Sequence, residues 1–165
     1  MSRSLGARLP PDLRARLSQS DLPARLGAAL PFVTVDGAGR PHAMLLSYIE
    51  IRAYDAATLG LVIDAGSGTA RNLSRHGVAT LLIVEPGTTM YVKSRLIDGP
   101  LEVAAAARDL AYFLLAVDDV LEDSAAEWEG GAQITSGVQY RPLPSLDAPW
   151  VRATLAAVAV PRARV

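Results

Sequence analysis

Residues 67–84 read SGTARNLSRHGVATLLIV, a short capped helix running into a strand. Ser67 and Thr69 can each serve as the N-cap, because a hydroxyl oxygen accepts the backbone N–H groups that a first helical turn leaves unpaired. Gly68 keeps the backbone open between them. Arg71 and Asn72 follow within the first turn, where the helix dipole favours an anion and a guanidinium grips phosphate oxygens as a fork. Leu73 is the inward contact, and Gly77 ends the helix in a left-handed conformation. Residues 78–84 carry no polar side chain except Thr80, so the expected strand is covered on both faces. A capped helix is most often only that, so the anion reading draws its weight from the neighbouring segments.

Upstream, residues 30–35 (LPFVTV) are a short β-branched strand, and the Asp36-Gly37-Ala38-Gly39 turn after them suits a hairpin. Pro41 opens the return strand, where its missing N–H does no harm. Alternation over residues 42–52 puts Ala43, Leu45, Ser47, Ile49 and Ile51 on the expected core face and His42, Met44, Leu46, Tyr48, Glu50 and Arg52 on the other. Asp55-Ala56-Ala57 is a turn, and residues 58–64 are a third strand with Leu59, Leu61 and Ile63 on one side. Downstream of the opening stretch, residues 88–96 alternate Thr89, Tyr91, Lys93 and Arg95 against Met90, Val92, Ser94 and Leu96. Residues 110–120 (LAYFLLAVDDV) fit helical spacing at Leu110, Phe113, Leu114 and Val117, yet their aromatic and β-branched content suits a strand, and a strand is expected.

The ends of the chain read as helical. Pro11 opens one helix with Leu13 and Leu17 on a single face, and Ser20 caps a second with Pro23 in its first turn. Ser124 caps a helix from Glu127 to about Thr135, and a closing helix covers residues 150–158. The expectation is one domain over residues 1–165: a helical arm (1–29), a barrel core (30–122) and C-terminal helices (123–165).

With 165 residues the chain is long enough for one core and short for two. Half its residues are hydrophobic, which suits burial of some surface in a partner subunit. Sixteen basic residues against seventeen acidic ones leave no field for nucleic acid or an anionic membrane. There are no cysteines and only two histidines, so thiolate catalysis, iron–sulfur clusters and histidine-built metal sites are not expected. No signal-peptide core or membrane span is visible, and a cytoplasmic protein is expected. Asp118-Asp119 and Glu122-Asp123 are adjacent carboxylates that point to opposite faces of a strand, so they form no catalytic dyad. Gly66-Ser67-Gly68 lacks the dinucleotide fingerprint, and no Walker lysine follows it.

In LPFVTV, DGAGRPH, AMLLSY, SGTARNL, VATLLIV and TMYVKSRL, taken in order, the chain resembles the pyridoxamine 5′-phosphate oxidase-like, FMN-binding split β-barrel superfamily. The resemblance spans residues 30 to about 100 well and reaches loosely to 140. It implies a mainly β (α+β) fold, a six-stranded antiparallel split barrel with short flanking helices, assembled as a homodimer with FMN at the subunit interface. It also implies Ser67, Thr69, Arg71 and Asn72 at the FMN phosphate, Met44, Leu45, Leu46 and Ser47 along the flavin ring, and Lys93 from the charged face. The arginine-bearing C-terminal segment of true pyridoxamine phosphate oxidases has no counterpart in VAVPRARV. The expected function is an FMN-dependent oxidoreductase, with NADH or NADPH as a candidate electron donor and no side chain nominated as acid or base. The alternatives are a non-enzymatic flavin-binding or cofactor-less structural dimer, or a relative that binds the deazaflavin F420 or haem.

Overall fold

The computed structural model describes residues 2–103, 108–125, 128 and 130–162. Its centre is one antiparallel sheet built from β1 (Ser2–Ser4), β2 (Ala29–Val35), β3 (Pro41–Ser47), β4 (Ile51–Ala53), β5 (Thr58–Asp64), β6 (Val78–Glu85), β7 (Thr88–Val103) and β8 (Leu110–Asp123). The strands run in the order β3-β2-β6-β7-β8-β5-β4, with β1 added on β8. The two end strands, β3 and β4, are consecutive in the chain. The turn Tyr48-Ile49-Glu50 joins them, and the Glu50 carbonyl accepts the Val62 N–H at 2.8 Å, so the sheet curls until its ends meet there.

The inward faces of the strands supply the core, including Phe32, Leu46, Leu61, Leu81, Val92 and Phe113, none more than 1% exposed. Helix α1 (Pro11–Leu17) adds Leu13 and Leu17 to that cluster, and α2 (Gly68–His76) adds Ala70 and Leu73. A second cluster lies on the outer surface of β5 and β8, where Val62 and Tyr112 meet Ala157 and Val158 of α3 (Pro149–Val158). β7 and β8 form the longest pairing, with register shifts between Lys93 and Ser94 and again around Asp98 that bend the hairpin. The acidic end of β8 clamps β1: Glu122 pairs with Arg3 at 2.6 Å, Asp119 accepts from Ser4 Oγ at 2.6 Å and Asp123 from Ser2 Oγ at 3.0 Å.

The mainly β split-barrel architecture expected from the sequence is present, and residues 110–120 are strand. Several details differ. The sheet has seven strands on its main path plus β1 rather than six, because residues 42–52 form two strands and the N-terminal residues supply another. The break at Tyr48-Ile49-Glu50 also reverses the expected core face of β3. Leu46 is fully buried and Met44 packs on the core, while Leu45 is 46% exposed. Residues 78–84 are covered on one face only within this chain: Ala79, Leu81 and Ile83 are buried, whereas Val78 is exposed and Thr80 and Leu82 half-buried. The second N-terminal helix is a single 3-10 turn (Leu22–Arg25) that starts after Asp21 rather than at Ser20. The helix expected to run to Thr135 is absent over residues 130–135, where Gly130 and Gly131 both take positive φ (68° and 73°) that a right-handed helix excludes. Residues 126, 127 and 129 of that segment, and most of the loop at 104–108, lie outside the described residues.

Candidate functional site at the start of the second helix

Helix α2 packs against β2, β3 and β7; at its start Ser67 and Gly68 are half-buried, and Thr69 and Ala70 are buried. Ser67 is the N-cap, its Oγ accepting the Ala70 N–H at 3.1 Å, and the Arg71 N–H reaches the Ser67 carbonyl at 3.3 Å. The Ser67 N–H goes to the Asp64 carbonyl at 3.1 Å, and Asp64 Oδ1 accepts the Gly66 N–H at 2.9 Å, which fixes the approach to the helix. The N–H groups of Gly68 and Thr69 remain. Among the described residues neither donates to a protein acceptor at this positive end of the helix; Gly68 is half-buried and Thr69 buried.

Two cationic or hydrogen-bonding side chains flank this turn. His42 stands over Gly68: a Cβ built there would lie 3.0 Å from Nε2 and 3.1 Å from Cε1, so the missing side chain is what admits the imidazole. Arg71 Nη2 would lie 3.9 Å from the same point, and its Nη1 donates to the Gly66 carbonyl at 2.6 Å, holding the guanidinium beside the turn. Hydrogen bonds to charged groups contribute about 1.5–3 kcal/mol each, so two amides and one guanidinium can hold a phosphate without a metal.

The remaining expected residues are distributed differently. Thr69 is buried as a whole residue. Asn72 is 9% exposed and donates from Nδ2 to Thr34 Oγ1 at 3.0 Å, on the buried side of the helix. On β3, Leu46 is in the core, and the Ser47 N–H and Oγ donate to Glu50 Oε2 at 2.7 and 2.9 Å. Among the described residues no strand pairs with the outer edge of β3. Lys93 is exposed on the outer face of β7. The register Lys93–Thr80–Val33–Ala43 places it three strand spacings, roughly 14 Å, from Ala43, so it does not join the helix turn.

The electrostatics around this region follow from burial and backbone bonding. Glu50 sits above the ordinary carboxylate range because burial disfavours its charge more than Ser47 and Arg108 relieve it. Asp36, in the β2–β3 turn, is held low by the backbone N–H of Arg40, then that of Ala38. Tyr48 is pushed up by burial and by donating to Glu85 Oε1 at 2.7 Å. Among the described residues no group of three His, Asp or Glu side chains stands close enough to hold a metal, and no helix is long and apolar enough to cross a membrane.

His42 is the site residue the sequence reading did not nominate. Its signal was the hairpin register: with a turn at 36–39, His42 falls opposite Thr34, on the inward side towards α2.

No protein-family model matches the sequence, and no curated protein matches it. Solved structures do match the fold. A candidate pyridoxamine 5′-phosphate oxidase of Lactobacillus delbrueckii aligns with a TM-score of 0.55 at 13% identity, over 72% of this chain and 98% of that one. HupZ of Group A Streptococcus aligns at 0.52 and 10% identity, over 80% and 98%. A protein named F420 reductase aligns at 0.51 and 14%, over 68% and 98%. At such identities the likeness is one of fold: the chain has the split-barrel fold of pyridoxamine 5′-phosphate oxidase-like proteins.

Proposed function

We propose that this chain binds a flavin-type nucleotide, FMN in the first instance and F420 as the alternative, and acts as an oxidoreductase. The observation that carries the reading is the first turn of α2, with two amides that have no protein acceptor among the described residues, between His42 and Arg71. Ser67, Gly68, Thr69, Arg71 and His42 would hold the phosphate. The ring would lie along the unpaired edge of β3 at residues 44–47, where backbone groups can meet its polar rim. The bound flavin would supply the hydride or electron chemistry, and the protein position and electrostatics. The names of the fold relatives, an F420 reductase and a candidate pyridoxamine 5′-phosphate oxidase among them, support a cofactor of this class.

The same reading includes a homodimer. Leu45 and Val78 are 46% and 44% exposed on the outer face of β3 and β6, where Ala43, Val33 and Thr80 continue one row in register. A second copy covering that face would bury this apolar surface and close a groove beside the β3 edge.

Purified protein titrated with FMN and with F420, followed by flavin fluorescence, tests the reading. Saturable binding of one of them and a dimer in size-exclusion chromatography are expected. Bleaching of the visible band by NADH or NADPH distinguishes a reductase from a carrier. Absence of binding to either flavin overturns the proposal.

A further inference from the structure

Glu50 puts a carboxyl on the outer edge of β3. Its Oε2 accepts the Ser47 N–H at 2.7 Å and the Ser47 hydroxyl at 2.9 Å. Ala29, the partner of Ser47 in β2, sends its own N–H to the Val138 carbonyl at 2.9 Å, so the two residues do not bond each other. In an antiparallel ladder the N–H and C=O of one residue turn to the same side. The backbone of Ser47 therefore faces away from β2, and the carboxyl bonded to it lies along the edge that no strand covers among the described residues. Arg108, ahead of β8, and Tyr140, in the C-terminal segment, are the charged and titratable groups whose fields reach this carboxyl. Arg108 also pairs with Asp64 at 3.7 Å, at the end of β5 that leads into the α2 turn. The other oxygen of Glu50 is different. Among the described residues Oε1 accepts no protein hydrogen bond, although the residue is half-buried. A carboxylate has acceptor sites on both oxygens, so Oε1 is left to a donor from solvent or from a ligand.

We propose that Glu50 selects and orients the ring of the flavin-type ligand, its Oε1 accepting the imide N–H of the ring's pyrimidine end. The inference rests on the flavin reading above. His42, over Gly68, begins the β3 edge and Ser47 ends it, about 17 Å away at the ordinary strand rise. A phosphate at the helix turn, a sugar-alcohol chain and a tricyclic ring laid along that edge bring one end of the ring to the Glu50 corner. FMN and F420 carry the same imide at their pyrimidine end. The opposite, benzenoid end of FMN has no N–H and would leave Oε1 without a donor, so the carboxylate decides which end of the ring meets the corner.

The test is fluorescence titration of the full chain with FMN and with 3-methyl-FMN, whose methyl group replaces that N–H, in wild type and in Glu50→Gln. The glutamine keeps an oxygen for Ser47 and sets an N–H donor where Oε1 stood. Wild type is expected to bind FMN at least tenfold more tightly than 3-methyl-FMN, a comparison that needs no variant. Glu50→Gln is expected to weaken FMN at least fivefold and to narrow the preference over 3-methyl-FMN at least threefold, with a cooperative thermal melt showing that the variant is folded. Equal binding of the two flavins by wild type, or an unaltered preference in Glu50→Gln, overturns the proposal while the flavin reading stands, and assigns Oε1 to solvent. Binding of neither flavin removes both, so the two failures are distinguishable.

Discussion

The side-chain amide of Asn72 donates to the hydroxyl of Thr34 at 3.0 Å, tying α2 to β2 where both residues are buried. Thr34 Oγ1 also lies 3.4 Å from the His42 carbonyl, so one buried hydroxyl connects the helix to both strands of the first hairpin. Removing one partner leaves the other desolvated and unsatisfied. Asn72→Ala is expected to cost about 1–3 kcal/mol. At this chain length each kcal/mol lowers the melting temperature by roughly 2–4 °C. Thr34→Val should recover part of that loss in the double variant, and flavin affinity should stay within about twofold of wild type. A destabilisation that is simply additive in the thermal-melt cycle would mean the two side chains do not couple.

Asn72 also shows where sequence reading reached its limit. Local chemistry was legible: the Ser67 cap, the Gly77 terminus with φ 65° and the turn at Asp36 all depend on residues within four positions of each other. Which way a helix faces depends on the sheet it packs against, and Asn72 could point to solvent or to Thr34 on sequence alone. The reversed face of β3 has the same origin. Alternation through Tyr48 to Glu50 reads as one continuous strand; the corner comes from the Glu50 N–H closing on the Ser47 carbonyl at 3.1 Å, the Ser47 N–H on the Glu50 carboxylate, and the long-range bond from the Val62 N–H to the Glu50 carbonyl. His42 was missed because its neighbour at Gly68 is 26 residues away in the chain and meets it through the tertiary fold.

Arg71 is the exposed member of the helix turn, with its Nη1 bonded to the Gly66 carbonyl and its Nη2 near Gly68. Arg71→Ala is expected to weaken FMN at least tenfold, about 1.4 kcal/mol, through loss of a charge-assisted fork. The melting temperature of the flavin-free protein should hardly change, since an exposed side chain with one backbone contact contributes little to folding. Fluorescence titration and a thermal melt on the same sample read both quantities. Unchanged FMN affinity would move the phosphate away from α2.

Gly60 is small because Tyr54 needs the space. A Cβ on Gly60 would fall 2.7 Å from Tyr54 Cζ and 2.9 Å from Cε2. The Tyr54 hydroxyl in turn reaches the carbonyls of Val158 and Val160 at 3.0 and 3.1 Å and receives the Tyr112 hydroxyl at 3.2 Å, fastening the end of α3 to the sheet. Gly60→Ala is therefore expected to cost about 1–3 kcal/mol from overpacking and to loosen α3, while Tyr54→Phe costs about 1 kcal/mol. Denaturant unfolding gives the energies, and limited proteolysis at the C-terminal segment reports the loosening. A Gly60→Ala chain as stable and as protease-resistant as wild type would show that the ring finds another place.

Glu50 makes stability depend on pH in a direction opposite to most carboxylates. Burial raises its proton affinity above the ordinary value of 4.5, and the Ser47 N–H, the Ser47 hydroxyl and the Arg108 charge offset that only in part. From 4.5 up to the folded-state value, the folded chain holds a proton that the unfolded chain has released. The contribution of Glu50 is therefore fully present below the unfolded value and is lost as pH rises through the folded one. Glu50→Gln removes the titration while keeping an oxygen that can accept from Ser47. Its stability relative to wild type is expected to rise as pH increases above 4.5 and to level off once the folded-state carboxyl is ionised, measured as denaturant midpoints. A difference that is flat across that range would mean the carboxylate is as well solvated in the folded chain as in the unfolded one.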